Sequence, residues 1–335
     1  MEELEKIAKT VSSRTKIPVR VKDVHSILSF IPESDNFWQI VSLSKRPIPV
    51  VSHVLTELSK IGYIVIREDK IFLNNEKVNN KGEEDVLSNR DNLLARFTEI
   101  QKERPTPLQE FDQGYITPES AVARTLFALR NHDVQGSNII IFGDDDLVSI
   151  VLGLTKKINY VLVLEIDKRI VDFINRVAKR ENLSVEGVEF DLRNKIPNTL
   201  KGRFDVFMSD PPEAYKAFLF FLNKGIYTLK GEGSVGYIGL TLIDSSLQKW
   251  QKIQKAILSS GAVITDIIQD FNEYVTWPYH QNTLAARLAP VKVEPNTNWY
   301  KSALVRFEFL KKTKKEKNQL IKDTKIYVDN ESTTT

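Results

Sequence analysis

Residues 138–146 read NIIIFGDDD: an apolar run closed by Gly143 and three aspartates. A short continuous apolar run that ends in a turn residue reads as a strand buried on both faces. Such strands belong to parallel sheets covered by helices, and the flanking sequence repeats the unit. NYVLVLEID (159–167) is a second strand of the same kind, followed by a helical pattern over 168–181. VEGVEFD (185–191) and RFDVFMSD (203–210) supply two more, and a helix is expected from Glu213 to about Leu229. GSVGYIGLT (233–241) and a helix over 245–260 follow. Late strands are expected in AVITDIIQDF (262–271), TLAARLAPV (283–291) and SALVRFEFL (302–310), where antiparallel pairing is possible. Repeated βα units require an α/β, Rossmann-like, mainly parallel sheet with its ligand crevice at the carboxyl ends of the strands.

At 335 residues the chain is too long for one typical domain and suits two. It has no cysteine, which excludes disulfides, thiolate zinc sites and cysteine nucleophiles. Its start, MEELEKIAKT, lacks the basic-then-apolar layout of a secretory signal. No apolar run approaches the length a bilayer demands, so a cytoplasmic protein without a membrane partner is expected. The net charge of +3 is carried by the carboxyl end: from Lys301 onward there are nine Lys or Arg against five acids.

Residues 1–80 show helical patterns over 2–12, 22–30, 36–45 and 50–61, then a β-rich stretch, 63–73, turning at 67–70. Helices followed by a β-ribbon describe a small winged-helix domain. DNA binding rests largely on phosphate neutralisation. Residues 1–85, however, hold thirteen basic and thirteen acidic side chains, so no nucleic-acid partner is expected. A role in dimerisation or in covering an active site fits better. Residues 81–110 read as a linker with a short helix near 92–102, 111–310 as the catalytic domain, and 311–335 as a flexible basic tail.

Acidic residues fall where the first four strands of the sheet should end. Glu165, about twenty residues beyond Gly143, is positioned to accept bonds from ribose hydroxyls, while Asp167 suits a helix N-cap. Asp191 by analogy reaches an adenine amino group. Nucleotide folds normally offer glycines after the first strand so that backbone N–H groups can approach an anion. Asp144, Asp145 and Asp146 do the opposite and attract cations. Helix capping with solvated acids is the bland alternative, and a divalent metal ranks below a polyamine because no phosphate-cradling loop accompanies the acids. Asp210, in SDPPE, sits in a loop stiffened by Pro211 and Pro212 and can orient an amine and take its proton. In FNEYVTWPYH (271–280) aromatics surround Glu273. Trp277 or Tyr279 could pack on ammonium methylenes there, or the segment is a core corner.

FDVFMSD, with Asp205 and Asp210 five apart, resembles the fourth-strand motif of aminopropyltransferases. Their first-strand loop reads G-G-G-D where this chain has G-D-D-D. G-D-D-D with DPPE, the winged-helix front and FDQGY (111–115) is similar to the branched-chain polyamine synthase family, the N4-bis(aminopropyl)spermidine synthases of archaea and thermophiles. The resemblance implies a class I methyltransferase-type fold and transfer of aminopropyl groups from decarboxylated S-adenosylmethionine to the secondary amine of spermidine. It implies no tightly bound cofactor, no metal, and a homodimer. Asp210 and Asp145 would activate the acceptor, Asp146 and Asp144 would orient aminopropyl groups, and Gln113 would reach the nucleoside beside Gly143, Glu165 and Asp191. Glu213, Glu273 and Trp277 would anchor the remaining amines.

Two rivals stand beside this reading. A methyltransferase using S-adenosylmethionine shares the DPP motif, but its family continues with a base-stacking aromatic where this chain has Glu213. A DNA-binding regulator is opposed by the neutral amino-terminal composition. If the tail closes over the site, Asp323, Asp329, Glu331 or Tyr327 are its useful ends.

Overall fold

Glu2, Glu3 and Glu5 crowd the first turn of helix α1 (Glu2–Thr15) and Arg14 lies in its last, each matched to the helix dipole. The structure, a computed structural model, describes residues 2–74, 76–77, 89–310, 318–322 and 324–334. The chain divides into two units, Met1–Asp85 and Val86–Thr335. In the first, α1 is followed by α2 (Val21–Ser29), α3 (Phe37–Ser44), α4 (Ile48–Lys60) and the antiparallel strands β1 (Ile64–Arg67) and β2 (Lys70–Leu73). Leu4, Ile7, Ala8 and Val11 recur at helical spacing and pack with Val24, Ile27, Val54 and Leu58. Glu68 and Asp69 turn the hairpin with φ of 50° and 60°, the sign a two-residue turn needs to match strand twist.

The second unit begins with α5 (Arg90–Gln101) and α6 (Pro118–Arg130) and continues as β3 (Asn138–Phe142), α7 (Val148–Leu154), β4 (Tyr160–Glu165), α8 (Lys168–Arg180) and β5 (Val185–Glu189). Then come β6 (Val206–Ser209), α9 (Tyr215–Thr228), β7 (Val235–Leu240), α10 (Leu247–Ser259), β8 (Ala262–Glu273), α11 (Leu284–Leu288) and β9 (Lys301–Phe309). The strands form one sheet in the order β5-β4-β3-β6-β7-β9-β8. Strands β3 to β7 pair parallel, and β9 runs antiparallel to both neighbours. This is the Rossmann-like sheet that the apolar runs predict.

Alternation along the strands builds a core on each face. Ile139 and Ile141 of β3 join Val161 and Val163 of β4 on one side, while Ile140 and Phe142 join Leu162 and Leu164 on the other. Between β3 and β6 the strand order reverses. That reversal opens a crevice at the carboxyl ends of the central strands.

Three segments depart from the sequence reading. Residues 283–291 carry the short helix α11 and no strand, because the Thr283 hydroxyl accepts from the Ala286 N–H and caps a run of good helix formers. Within 81–110 the helix expected near 92–102 is α5, and it is more than a linker element, because Leu93, Phe97 and Ile100 are buried in the main core. The described part of the tail is anchored as well: Ile326, Ser332 and Thr334 are buried. Asp323 and the lysine-rich residues 311–317 lie outside the described residues.

Candidate active site

A cavity of about 470 Å³ opens at the carboxyl ends of β3, β4 and β6. Among the described residues its wall carries eight carboxyl side chains, from Glu110, Asp112, Asp145, Asp146, Glu165, Asp191, Asp210 and Glu213, and one cationic side chain, Arg193. Arg193 is already paired with Asp191 at 2.7 Å. So many acids around one cavity favour a cationic ligand, whose charge draws the carboxyls that burial holds protonated into their ionised form.

The three consecutive aspartates point to three different partners. Gly143 turns the chain out of β3 with φ of 68°, a conformation that favours glycine. Asp144 is buried and accepts from the Val148 and Ser149 N–H groups at 2.8 and 3.1 Å, so its carboxylate caps α7. Asp145 accepts from the Gly114 N–H at 3.0 Å, and its carbonyl accepts from Arg104, whose guanidinium lies 3.4 Å over the Tyr115 ring. Burial pushes the Asp145 carboxyl well above its ordinary range, and Asp146 adds repulsion. Asp146 accepts from the Ile116 N–H at 2.8 Å and pairs with Arg124 at 3.3 Å. Burial pushes Asp146 up to about 6, against the pull of Arg124.

Asp210, in the loop after β6, accepts at Oδ2 from Arg124 Nη2 at 3.1 Å and from the Tyr274 hydroxyl at 2.5 Å. Among the described residues no donor is recorded at its other oxygen, Oδ1. Arg124 therefore bridges the carboxylates that follow the first and fourth strands of the sheet.

The next stretch of the wall is built from the ends of β4 and β5. Glu165 accepts from the Asp144 N–H at 3.0 Å and from the Asp167 N–H at 2.9 Å, which fixes its carboxylate across the crevice. Asp167 caps α8 through the Arg169 N–H. Gln113 donates to Asp167 at 2.8 Å and accepts from the Leu108 N–H, so its amide braces the entry loop while its residue lines the cavity.

A second acidic pole lies along the same wall. Glu213 accepts from the Tyr300 hydroxyl at 2.8 Å, and that hydroxyl also lies 3.4 Å from Asp244. Burial pushes Glu213 up to about 8, with Asp112 and Asp244 adding repulsion. Burial likewise pushes Asp112 up to about 7, with Asp244 adding repulsion. The carboxyl-terminal segment closes this end: Thr333 and Thr334 donate to Asp244, and Thr334 and Tyr327 line the cavity. Asp329 and Glu331 do not face the cavity. They hold the segment down through Lys249 and the N–H groups of Tyr215 and Ser246.

Asp145, Asp146, Asp210, Glu213, Gln113, Gly143, Glu165, Asp191 and Trp277 all line the cavity. Glu273 does not, and its expected contact with substrate is corrected. It pairs with Lys301 at 3.5 Å across β8 and β9 and accepts from Asn298, so strand alternation turns it away while Tyr274 faces inward. Asp144 is likewise spent on α7 and is absent from the lining. Trp277 packs among Tyr279, Trp299 and Tyr300, so the aromatic segment is a core corner that also forms a cavity wall. Arg124, Tyr274, Tyr300 and Asp244 were not read from the sequence. The signal for Arg124 was a lone arginine on a helix face with Ala121, Thr125 and Ala128, all of them buried.

Among the described residues no group of three or more His, Cys, Asp or Glu is arranged to hold a metal ion. Nor is any helix long and apolar enough to cross a membrane.

The family model described as the branched-chain polyamine synthase A C-terminal domain matches residues 92–334. A relative from Thermococcus kodakarensis, named N(4)-bis(aminopropyl)spermidine synthase, is 38% identical over 99% of this chain and 100% of its own length. One of the same name from Thermus thermophilus is 35% identical over 93% of this chain and 94% of its own. The crystal structure of the branched-chain polyamine synthase from Thermus thermophilus holds N4-aminopropylspermidine and 5'-methylthioadenosine. It superposes with a TM-score of 0.70 at 34% identity, covering 100% of this chain and 99% of that one. A putative RNA methyltransferase from Pyrococcus horikoshii, 17% identical over 67% of this chain and 99% of its own with a TM-score of 0.50, shares the fold alone.

Proposed function

Since the chain belongs to the branched-chain polyamine synthase family, we propose that it moves aminopropyl groups from decarboxylated S-adenosylmethionine to the secondary amine of spermidine. The products are N4-aminopropylspermidine, then N4-bis(aminopropyl)spermidine, with methylthioadenosine released at each step. The observation that carries this reading is the cavity lining, eight carboxylates against one already paired arginine. A polycation and a sulfonium donor without a carboxylate suit that field. Ordinary S-adenosylmethionine brings a carboxylate into it.

Spermidine amines are protonated at neutral pH, with pKa values near that of a lysine at about 10. The attacking nitrogen must first lose its proton, and Asp210 Oδ1, which accepts no hydrogen bond among the described residues, is the acceptor. The nitrogen lone pair then attacks the aminopropyl carbon bonded to sulfur. The C–S bond breaks, its electron pair neutralises the sulfonium, and methylthioadenosine departs. The second transfer turns a tertiary amine into a quaternary ammonium, so the proton again leaves before attack. Asp145 assists at the acceptor and Asp146 holds the donor's ammonium. Glu165 takes the ribose hydroxyls, and Asp191 and Gln113 the base side of the nucleoside. Asp112 and Glu213 with Trp277 form the far end, where acids and an aromatic wall hold a terminal amine, and Asp244 behind them holds the carboxyl-terminal segment in place. Holding nucleophile and carbon in line is the main contribution such a site makes.

The amino-terminal unit is read as a winged-helix module used for pairing two copies of the chain rather than for nucleic acid. No bound cofactor beyond the donor is invoked. Melting in the presence of each donor tests the reading, because a ligand that binds only the native state raises the transition. Decarboxylated S-adenosylmethionine should protect, and more so with spermidine. Protection by ordinary S-adenosylmethionine alone would favour the methyltransferase.

A further inference from the structure

Arg124 is 5% exposed and lies outside the cavity lining, yet its guanidinium is committed to the two carboxylates of the reacting centre. Nη1 meets Asp146 at 3.3 Å, Nη2 meets Asp210 at 3.1 Å, and Nε donates to Asn272 at 3.2 Å. Asn272 in turn donates to the Ser302 hydroxyl at 2.9 Å, Ser302 lies 3.1 Å from the Tyr274 hydroxyl, and Tyr274 closes the ring on Asp210. A buried cation is a paradox in a site for polycations. Its presence makes sense if carboxylates packed this closely require a fixed counter-charge. Like charges sharing a site otherwise take up a proton.

We propose that Arg124 is a positioning residue: it holds Oδ2 of Asp146, whose Oδ1 accepts from the Ile116 N–H, and Oδ2 of Asp210, so that both carboxylates are fixed and Oδ1 of Asp210 is turned to a substrate amine. The groups that bear on the pair are Asp144 and Asp145 in the same loop, Arg104 after α5, and Tyr274 after β8. Arg104 acts on Asp145 and Asp146 from a distance and makes its own hydrogen bond to a carbonyl. Only Arg124 touches both carboxylates among the described residues. Lysine at this position would bring a single ammonium that cannot fork across the two.

The inference rests on the aminopropyl-transfer reading, and its test separates the two. Transfer kinetics against pH are measured for wild type, Arg124→Met and Arg124→Lys, together with the melting temperature of each ligand-free protein across the same pH range. Arg124→Met should lose about a hundredfold in kcat. The acid limb of its profile should move up by about 1 to 3 pH units, the size of an opposite charge's effect at this distance. Arg124→Lys should restore part of kcat and part of the limb's position. The melting difference between wild type and Arg124→Met should widen as pH rises, since loss of packing alone gives a constant gap. If Arg124→Met does not fold, Arg124→Lys carries both readouts. A variant with an unshifted acid limb and a pH-independent melting gap overturns the role of Arg124. Failure of the wild type to transfer removes the reading of the reaction instead, and the melting gap still decides the counter-charge.

Discussion

A Cβ built on Gly239 would lie 1.7 Å from Oδ1 of Asp210, so β7 passes directly beneath the carboxylate assigned to the acceptor amine. That carboxylate is held at its other oxygen by Arg124 and Tyr274 and cannot yield without breaking one of them. Gly239→Ala should therefore fold and lose about a hundredfold in kcat, the scale of a misplaced reacting group. A cooperative melt with normal turnover would show that Asp210 moves freely.

Tyr274→Phe removes the 2.5 Å hydrogen bond to Asp210 and leaves the ring contact with Tyr300 intact. A hydrogen bond to a charged group is worth about 1.5 to 3 kcal/mol. Turnover should fall at least tenfold, about 1.4 kcal/mol in the barrier, with KM for the donor little changed. Equal losses in stability and none in kcat would make the tyrosine a packing residue.

The second acidic pole sets a pH dependence in the ligand-free protein. Glu213 is pushed up to about 8 and Asp112 to about 7, both chiefly by burial. The folded state then binds more protons than the unfolded state between about 4 and 8, so stability falls as pH rises through that window. The melting temperature should drop from pH 5 to 9, about the span of these titrations, and spermidine should cancel most of the drop. Glu213→Gln should flatten the slope.

Lys249 is buried and donates to the carbonyls of Glu213 and Asp244 and to Asp329. It joins the site's far wall to the carboxyl-terminal segment. Lys249→Met should release that segment to limited proteolysis and raise KM for the acceptor more than for the donor. Unchanged proteolysis would mean that Thr333 and Thr334 on Asp244 suffice to hold it.

The sheet was legible because strands buried on both faces are unbroken apolar runs, and their ends announce the crevice. The charge of the site was legible too, since Asp145, Asp146, Asp210 and Glu213 follow strands in sequence. Their division of labour was not. Asp144 looks like its neighbours in sequence, and only the backbone path into α7 shows that its carboxylate is a cap. Arg124 sits in an apolar helix without a motif, and its partners are 22 and 86 residues away. Glu273 stands among aromatics in the sequence and so looks like part of the site, but strand alternation turns Tyr274 inward and Glu273 out, onto Lys301 and Asn298. The tail was read from its lysines, whereas Ile326 and Thr334 beyond them are buried.

The central claim is tested most directly by mass spectrometry of the products formed from spermidine and decarboxylated S-adenosylmethionine, with Asp210→Asn alongside. The expected result is a gain of one and then two aminopropyl groups on spermidine, lost in the variant, with methylthioadenosine released in step. No transfer to any polyamine, with a methyl group transferred when ordinary S-adenosylmethionine is supplied, would contradict it.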